Sequence, residues 1–397
     1  MVISSQQKRI GVRWLAAVLC ALPASLTAAV PTVDNAALYY YQAFLRCPSL
    51  DSIPDNLVSG GLRGTRCADD LREYFEDHSE CRDVIELVKA ASRVRSCKWG
   101  IPNLQGSSIM GYVVGPMRTV TFLLTADAQI LAADGDHKAA FDRMLTLRRF
   151  AADLGDPNIG YLLATQAERL AVVSIGHMLE ATPADPALLT WLGDELAFEP
   201  LTCEWFSWLL RTECERTLCL ARADDTLLPR VRRVVPDAGT PTYRANVEAL
   251  KDVDDEELMR RIQESYAQFM GNVLEILGSD LPYNEAYAKL DRLEKEREEE
   301  ARENPAVIDG WTEGIPNQYR DVFTQKARLN ALRAAVEVYA VKAETGTLPK
   351  TLPHGLPKDP FCDEDFEYAL TEEGFVLRAP AETIERQGPT EYHFKVQ

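Results

Sequence analysis

Histidine is scarce in this chain, with five among 397 residues: His78, His137, His177, His354 and His393. None belongs to a His-Glu-x-x-His pair of the kind that holds catalytic zinc on one helix face, and none has an acid and a nucleophile beside it in sequence. His177 falls in an apolar helical run and is expected to be a satisfied core residue. His393 is expected to alternate outward on a strand. Positive charge is also short, since 43 Lys and Arg stand against 61 Asp and Glu for a net charge of −18. No basic stripe interleaved with aromatics occurs, and so acidic a surface repels phosphates. Nucleic acid is thereby excluded as a partner, and so are anionic lipid headgroups. Beyond residue 30 no apolar run reaches the length of about 20 residues that a spanning helix needs.

Several motifs are present only in part. Gly60-Gly61-Leu62-Arg63-Gly64 is followed by no Lys-Ser/Thr and preceded by no clear strand, so it reads as a turn rather than a phosphate loop. Gly106-Ser107-Ser108-Ile109-Met110-Gly111 departs by one residue from the Gly-x-Ser-x-Gly elbow of hydrolases. Asp359, Asp363, Glu364 and Asp365 offer hard oxygen ligands but lack the Gly-centred loop and closing Glu of a calcium site. Cys67, His78, Cys81 and Cys97 contain one His-x-x-Cys spacing suited to zinc, while their outer spacings do not fit. No catalytic residue, cofactor or metal ligand is assigned on these patterns.

What is present begins at the N-terminus. Lys8, Arg9 and Arg13 form a positive region, Trp14 to Val30 is apolar around Pro23, and Thr27-Ala28-Ala29 offers a small-x-small cleavage site. Residues 1–29 are therefore read as an export signal, with an uncleaved anchor as the alternative. Lipid attachment at Cys20 is disfavoured by the bulky Leu19 before it. The membrane is then touched only through the signal before cleavage, and the protein is expected in the periplasm or outside the cell. Removal of the signal leaves the chain more acidic still.

An exported chain meets an oxidising compartment, which makes its remaining cysteines disulfide candidates: Cys47, Cys67, Cys81, Cys97, Cys203, Cys214, Cys219 and Cys362. Some could equally be small buried apolar residues. Cys81 and Cys97 flank an expected helix of about 16 residues, which would hold them roughly 24 Å apart. Bridged Cα atoms lie within about 7 Å, so this pair cannot form while the helix is intact. The same argument forbids Cys203 with Cys214 on one helix and disfavours Cys214 with Cys219.

The body reads as packed helical hairpins over residues 30–317. Helices are expected over Asn35–Arg46, from Ser79 towards Val94, from Pro116 past Leu131, and over Lys138–Leu154, Ile159–Leu179, Ala187–Phe198 and Cys203–Ala221. Leu124–Asp156 has the small residues of a tetratricopeptide-like pair (Ala128, Gly135, Ala140) but no second copy at a fixed period. Residues 222–250 read as an irregular link. Leu258, Ile262, Tyr266, Phe269, Val273 and Leu277 recur at spacings of three and four, which makes this helix the clearest in the chain. Asn284–Asn304 is a charged, solvated helix supported by Asp291–Lys295 and Glu298–Arg302 pairs four residues apart.

From Gln318 the pattern is a long helix to Ala343, a stop at Gly346, and then alternating segments. Phe366–Leu370 and Phe375–Leu377 read as a hairpin, with Glu391–Val396 as a third strand. The fold class is mainly α, with a small C-terminal α+β module over 318–397. Tyr339 through Pro349, Leu356 through Phe361, and Phe366-Glu367-Tyr368 together resemble the C-terminal end of type II secretion pseudopilins. The same stretch looks like the tail of exported helical proteins of unknown function of planctomycete type. The resemblance covers the last seventy or so residues and implies a helix-plus-sheet module in an envelope protein. This chain has a cleavable signal in place of a pilin's N-terminal helix, and Pro380–Pro389 lacks the Asp-Gly pattern of a calcium loop. The expected role is non-enzymatic binding or scaffolding of another envelope protein through grooves between helices. A secreted hydrolase whose site forms only in the fold is the alternative.

Overall fold

Asn35 shows how local chemistry sets the first helix. Its backbone is extended and its side-chain oxygen accepts from the Ala37 N–H at 3.2 Å, so α1 (Ala36–Arg46) starts at the next residue. The same oxygen accepts from the Lys98 N–H at 2.8 Å, tying the helix start to a distant loop. The computed structural model describes residues 34–49, 52–54, 68–100, 106–154, 161–223, 227–232, 240–307, 314–380 and 390–396. The export signal, Cys67, the Gly60–Gly64 turn and residues 381–389 lie outside the described residues.

Among the described residues there are thirteen α-helices and three strands, a mainly α fold with a small C-terminal antiparallel sheet. After α1 come α2 (Ala68–Asp77) and α3 (Glu80–Ala91), and α3 packs its Cys81, Val84, Ile85 and Val88 face on α1. Three long helices follow as successive antiparallel neighbours: α4 (Gly106–Ala133), α5 (His137–Leu154) and α6 (Tyr161–Ala181). Gly135, at φ +83°, makes the tight turn between α4 and α5 that a side-chain-bearing residue would strain. Asp185 caps α7 (Pro186–Leu196) by accepting from the Ala187 and Leu188 N–H groups.

The second half runs through α8 (Cys203–Ala223), α9 (Leu227–Val231), α10 (Pro241–Ala249), α11 (Asp255–Leu277), α12 (Tyr283–Ala301) and α13 (Ile315–Thr345). Asp254 caps α11 through the Glu256 and Glu257 N–H groups, and Leu258, Ile262, Tyr266, Phe269 and Val273 are all buried. The Asp291–Lys295 pair forms at 2.6 Å on α12. Helix α13 is buried on nearly every side, including Thr324, Gln325 and Asn330, and so has little amphipathic character. It packs on α6 and α7, on α8 and α12, and on the sheet.

Strands β1 (Glu367–Leu370), β2 (Gly374–Arg378) and β3 (Glu391–Lys395) form a meander in the order β1-β2-β3, antiparallel throughout. Phe375 pairs with Phe394 and stacks on it with ring centroids 5.1 Å apart. Tyr339 of α13 reaches the sheet twice, edge-on against Phe375 and by a hydrogen bond to the Lys395 carbonyl.

Three expectations are corrected. Pro116 does not start α4; it is inside the helix, which begins at Gly106. A proline there removes one backbone bond at a cost of about 3 kcal/mol, and the helix continues across it. Residues 222–250 are not simply irregular, because they include α9 and α10. Thr240 accepts from the Tyr243 N–H and Pro241 occupies the first helical turn, so α10 starts inside the expected link. The helix after Cys81 ends at Ala91, shorter than the 16-residue span assigned to it. Its continuation turns back, so that the Ala36 N–H donates to the Ser96 carbonyl at 2.8 Å. The 317/318 boundary falls within the first turn of α13, and Asn35–Gln397 forms one compact unit.

Candidate functional site

An apolar groove lies between α4 and α6. Its volume is about 430 Å³, and it is half open to solvent. Met117, Leu154, Leu163, Ala167 and Leu170 make its floor, with Met117, Leu154 and Ala167 fully buried. From Leu163 to His177 the α6 wall runs about 21 Å at 1.5 Å per residue. Val173 is 38% exposed on this wall. Among the described residues the lining carries two cationic side chains, Arg118 and Arg169, together with His177, and no carboxylate.

The repeat of α6 explains this placement. Ala164, Ala167, Ala171, Ile175 and Leu179 face the core. His177 lies two residues beyond Ile175, about 200° around the helix. It is therefore exposed on the groove rim, not a satisfied core residue as expected. Ser174 lies one turn before it on the same helix. A serine hydrolase needs a third group to orient the imidazole, and the described residues of the lining offer no acid for that work.

No family model, characterised protein or solved structure matches this chain. The site therefore has to be read from its own geometry. Two polar clusters beside the groove compete with it for a functional role.

The first is a buried ion pair between neighbouring helices. Arg148 of α5 donates from Nε to Glu168 Oε1 of α6 at 2.9 Å and from Nη2 to the Phe198 carbonyl at 2.7 Å. The side chains are 1% and 3% exposed. Burial pushes the Glu168 carboxyl up, against the pull of the guanidinium. The pair clasps α5, α6 and the end of α7, and its burial keeps it from a substrate.

The second is an aromatic clasp. Tyr40 donates to Asp153 Oδ2 at 2.6 Å, and the Trp99 indole N–H donates to the Asp153 carbonyl at 2.7 Å. Trp99 stacks on Tyr40 at 5.3 Å and on Phe44 at 5.8 Å. Burial pushes the Asp153 carboxyl up to about 6, with the Tyr40 hydroxyl pulling the other way. The folded state thus holds this proton more tightly than the unfolded chain does. The associated stability is complete below the ordinary carboxylate value and is lost as pH rises through about 6. Asp153→Asn should therefore raise the thermal midpoint at pH 7.5 and leave it nearly unchanged at pH 4, an effect on the order of 3 kcal/mol. Parallel pH profiles for the two proteins would show that Asp153 does not titrate in this window.

The cysteines are spread through the fold. Cys81 is buried; Cys47, Cys97, Cys203, Cys214 and Cys362 are half-buried; Cys219 is exposed. Cys47, Cys81, Cys203, Cys214 and Cys219 are free thiols. Burial pushes the Cys47 and Cys81 thiols up to about 12, which leaves little thiolate to react at neutral pH. Among the described residues no three His, Cys, Asp or Glu side chains gather as a metal site. His78 is stacked on Tyr74 and its Nδ1 lies 3.0 Å from the Tyr74 carbonyl. The Gly106–Gly111 run lies in the first turns of α4. Asp359 is fully buried and accepts from the Phe361 N–H, while Asp363 turns the chain at φ +58°. That set of carboxylates shapes a turn. His393 is exposed beside Glu391 at 3.1 Å, and His137 lies 3.5 Å from the Thr182 hydroxyl.

Proposed function

We propose that this chain is an exported cell-envelope protein that works by binding another envelope protein, without catalysis. The α4–α6 groove carries this reading. It is long, open and apolar, and among the described residues of its lining there is no carboxylate to complete a hydrolytic site. Export rests on residues 1–30 and on the likeness of the C-terminal stretch to pseudopilin ends. Among the described residues no helix is long and apolar enough to cross a membrane. An oxidising compartment would favour disulfides, although Cys47, Cys81, Cys203, Cys214 and Cys219 are free thiols in this structure.

A photo-crosslinking side chain at position 173 tests the reading in intact envelopes. It should attach to one discrete partner, and Leu170→Glu should abolish the product while the far-ultraviolet circular dichroism stays unchanged. Ester or peptide hydrolysis by the purified protein, lost in His177→Ala, would instead establish the hydrolase.

A further inference from the structure

Within a strongly acidic protein, the groove is bordered by charges of the opposite sign. We infer that it receives an acidic amphipathic helix of the partner, with aliphatic side chains on the floor and carboxylates at Arg118 and Arg169. The inference rests on the groove being a binding site and adds the chemistry of what enters it.

Three observations support a helix of this kind. The wall from Leu163 to His177 spans about four helical turns, and its half-open shape suits a helix laid lengthwise better than an enclosed small molecule. Leu163, Ala167, Leu170 and Ser174 recur at three and four residues along that wall, giving shallow sockets at the spacing of a helical stripe. Arg118 from α4 and Arg169 from α6 stand on the two sides, where they can pair with carboxylates flanking an aliphatic seam, while Asp321 of α13, within electrostatic reach of Arg169, offsets part of that charge.

Charge decides against the two nearest alternatives. The chain's own leader, residues 1–33, carries Lys8, Arg9 and Arg13 and no acid, so the arginines would repel it. The acidic helix α12 of a second copy has the required sign. Its apolar residues Tyr283, Ala286 and Leu290 are already buried against its own core, which leaves no seam to offer.

The test uses a fluorescent 15-residue helical peptide with leucines at positions 1, 4, 8 and 11 flanked by glutamates, and a second with lysines in place of the glutamates. Anisotropy with the purified chain should show saturable binding of the acidic peptide only. The Arg118→Gln/Arg169→Gln double variant should weaken it at least tenfold, as should raising salt, while both arginines are exposed enough to be replaced without unfolding. Leu170→Glu should abolish binding. Equal binding of the two peptides, or of neither, overturns the inference. So does displacement of the acidic peptide by dodecanoate at stoichiometric concentration, because a small amphiphile would then be the better occupant. A discrete crosslink at position 173 alongside any of these failures would retain a protein-binding groove and discard only its charge preference. Hydrolysis dependent on His177 would discard the groove reading itself.

Discussion

Arg148→Ala is expected to lose about 3–5 kcal/mol of folding free energy at neutral pH and to recover part of that loss in acid. The guanidinium is fully buried and holds both Glu168 and the Phe198 carbonyl. Its removal leaves a carboxylate in the core with no compensating charge, and desolvation then dominates. Glu168 already lies above the usual carboxylate range because of burial, and loss of the arginine pushes it higher. The folded variant would hold a proton that the unfolded chain releases, so its stability falls as pH rises through the folded value. Urea titrations at pH 5 and pH 8 should show a larger deficit at pH 8. Arg148→Met with Glu168→Leu should restore most of the loss, because an apolar pair of similar volume carries no desolvation cost. A single variant within 1 kcal/mol of the parent at about pH 8 would mean that water reaches the pair.

Gly374→Ala should be nearly as damaging, for a steric reason. A Cβ built there would lie 2.1 Å from the Phe394 carbonyl oxygen and 3.0 Å from Lys395 Cα. Both are backbone atoms of the adjacent strand, so relief requires β3 to move away from β2. That movement would loosen the Phe375–Phe394 stack and the Tyr339–Lys395 bond. A cost of about 3 kcal/mol is expected, the upper end for overpacking a closed site, with faster amide exchange at Phe394 and Val396. Gly346→Ala is the comparison. Gly346 has φ +79° and open space around its Cβ, so it should show only the backbone cost of about 1–2 kcal/mol. Equal losses in the two variants would show that close approach does not matter at Gly374.

Elements with a single buried stripe were legible in the sequence. The α11 positions from Leu258 to Val273 are buried as their spacing indicates, and the hairpin and third strand pair in order. Leu277, at the end of that stripe, is only half-buried because the helix stops there. The Arg148–Glu168 clasp left a signal that went unused. Arg148 stands between Met144 and Ala151 on one helical face, and Glu168 between Ala164 and Ala171 on the next. A charge at the centre of two consecutive apolar stripes points to a buried pair. The groove left no such trace, because its walls come from α4 and α6 with α5 between them in the chain. His177 was misplaced since an apolar neighbourhood in sequence says little about which side of a helix a residue occupies.

The position of α13 has a consequence for the order in which this protein can be made. Helices α6 and α7 rest against a segment that leaves the ribosome only when residues 315–345 have been synthesised. Chains fold progressively from the N-terminus as they are made, yet here the first half lacks its central support until late. The nascent protein would remain loosely folded until that segment has emerged. Closure of the first half around α13 would then be among the last steps of folding.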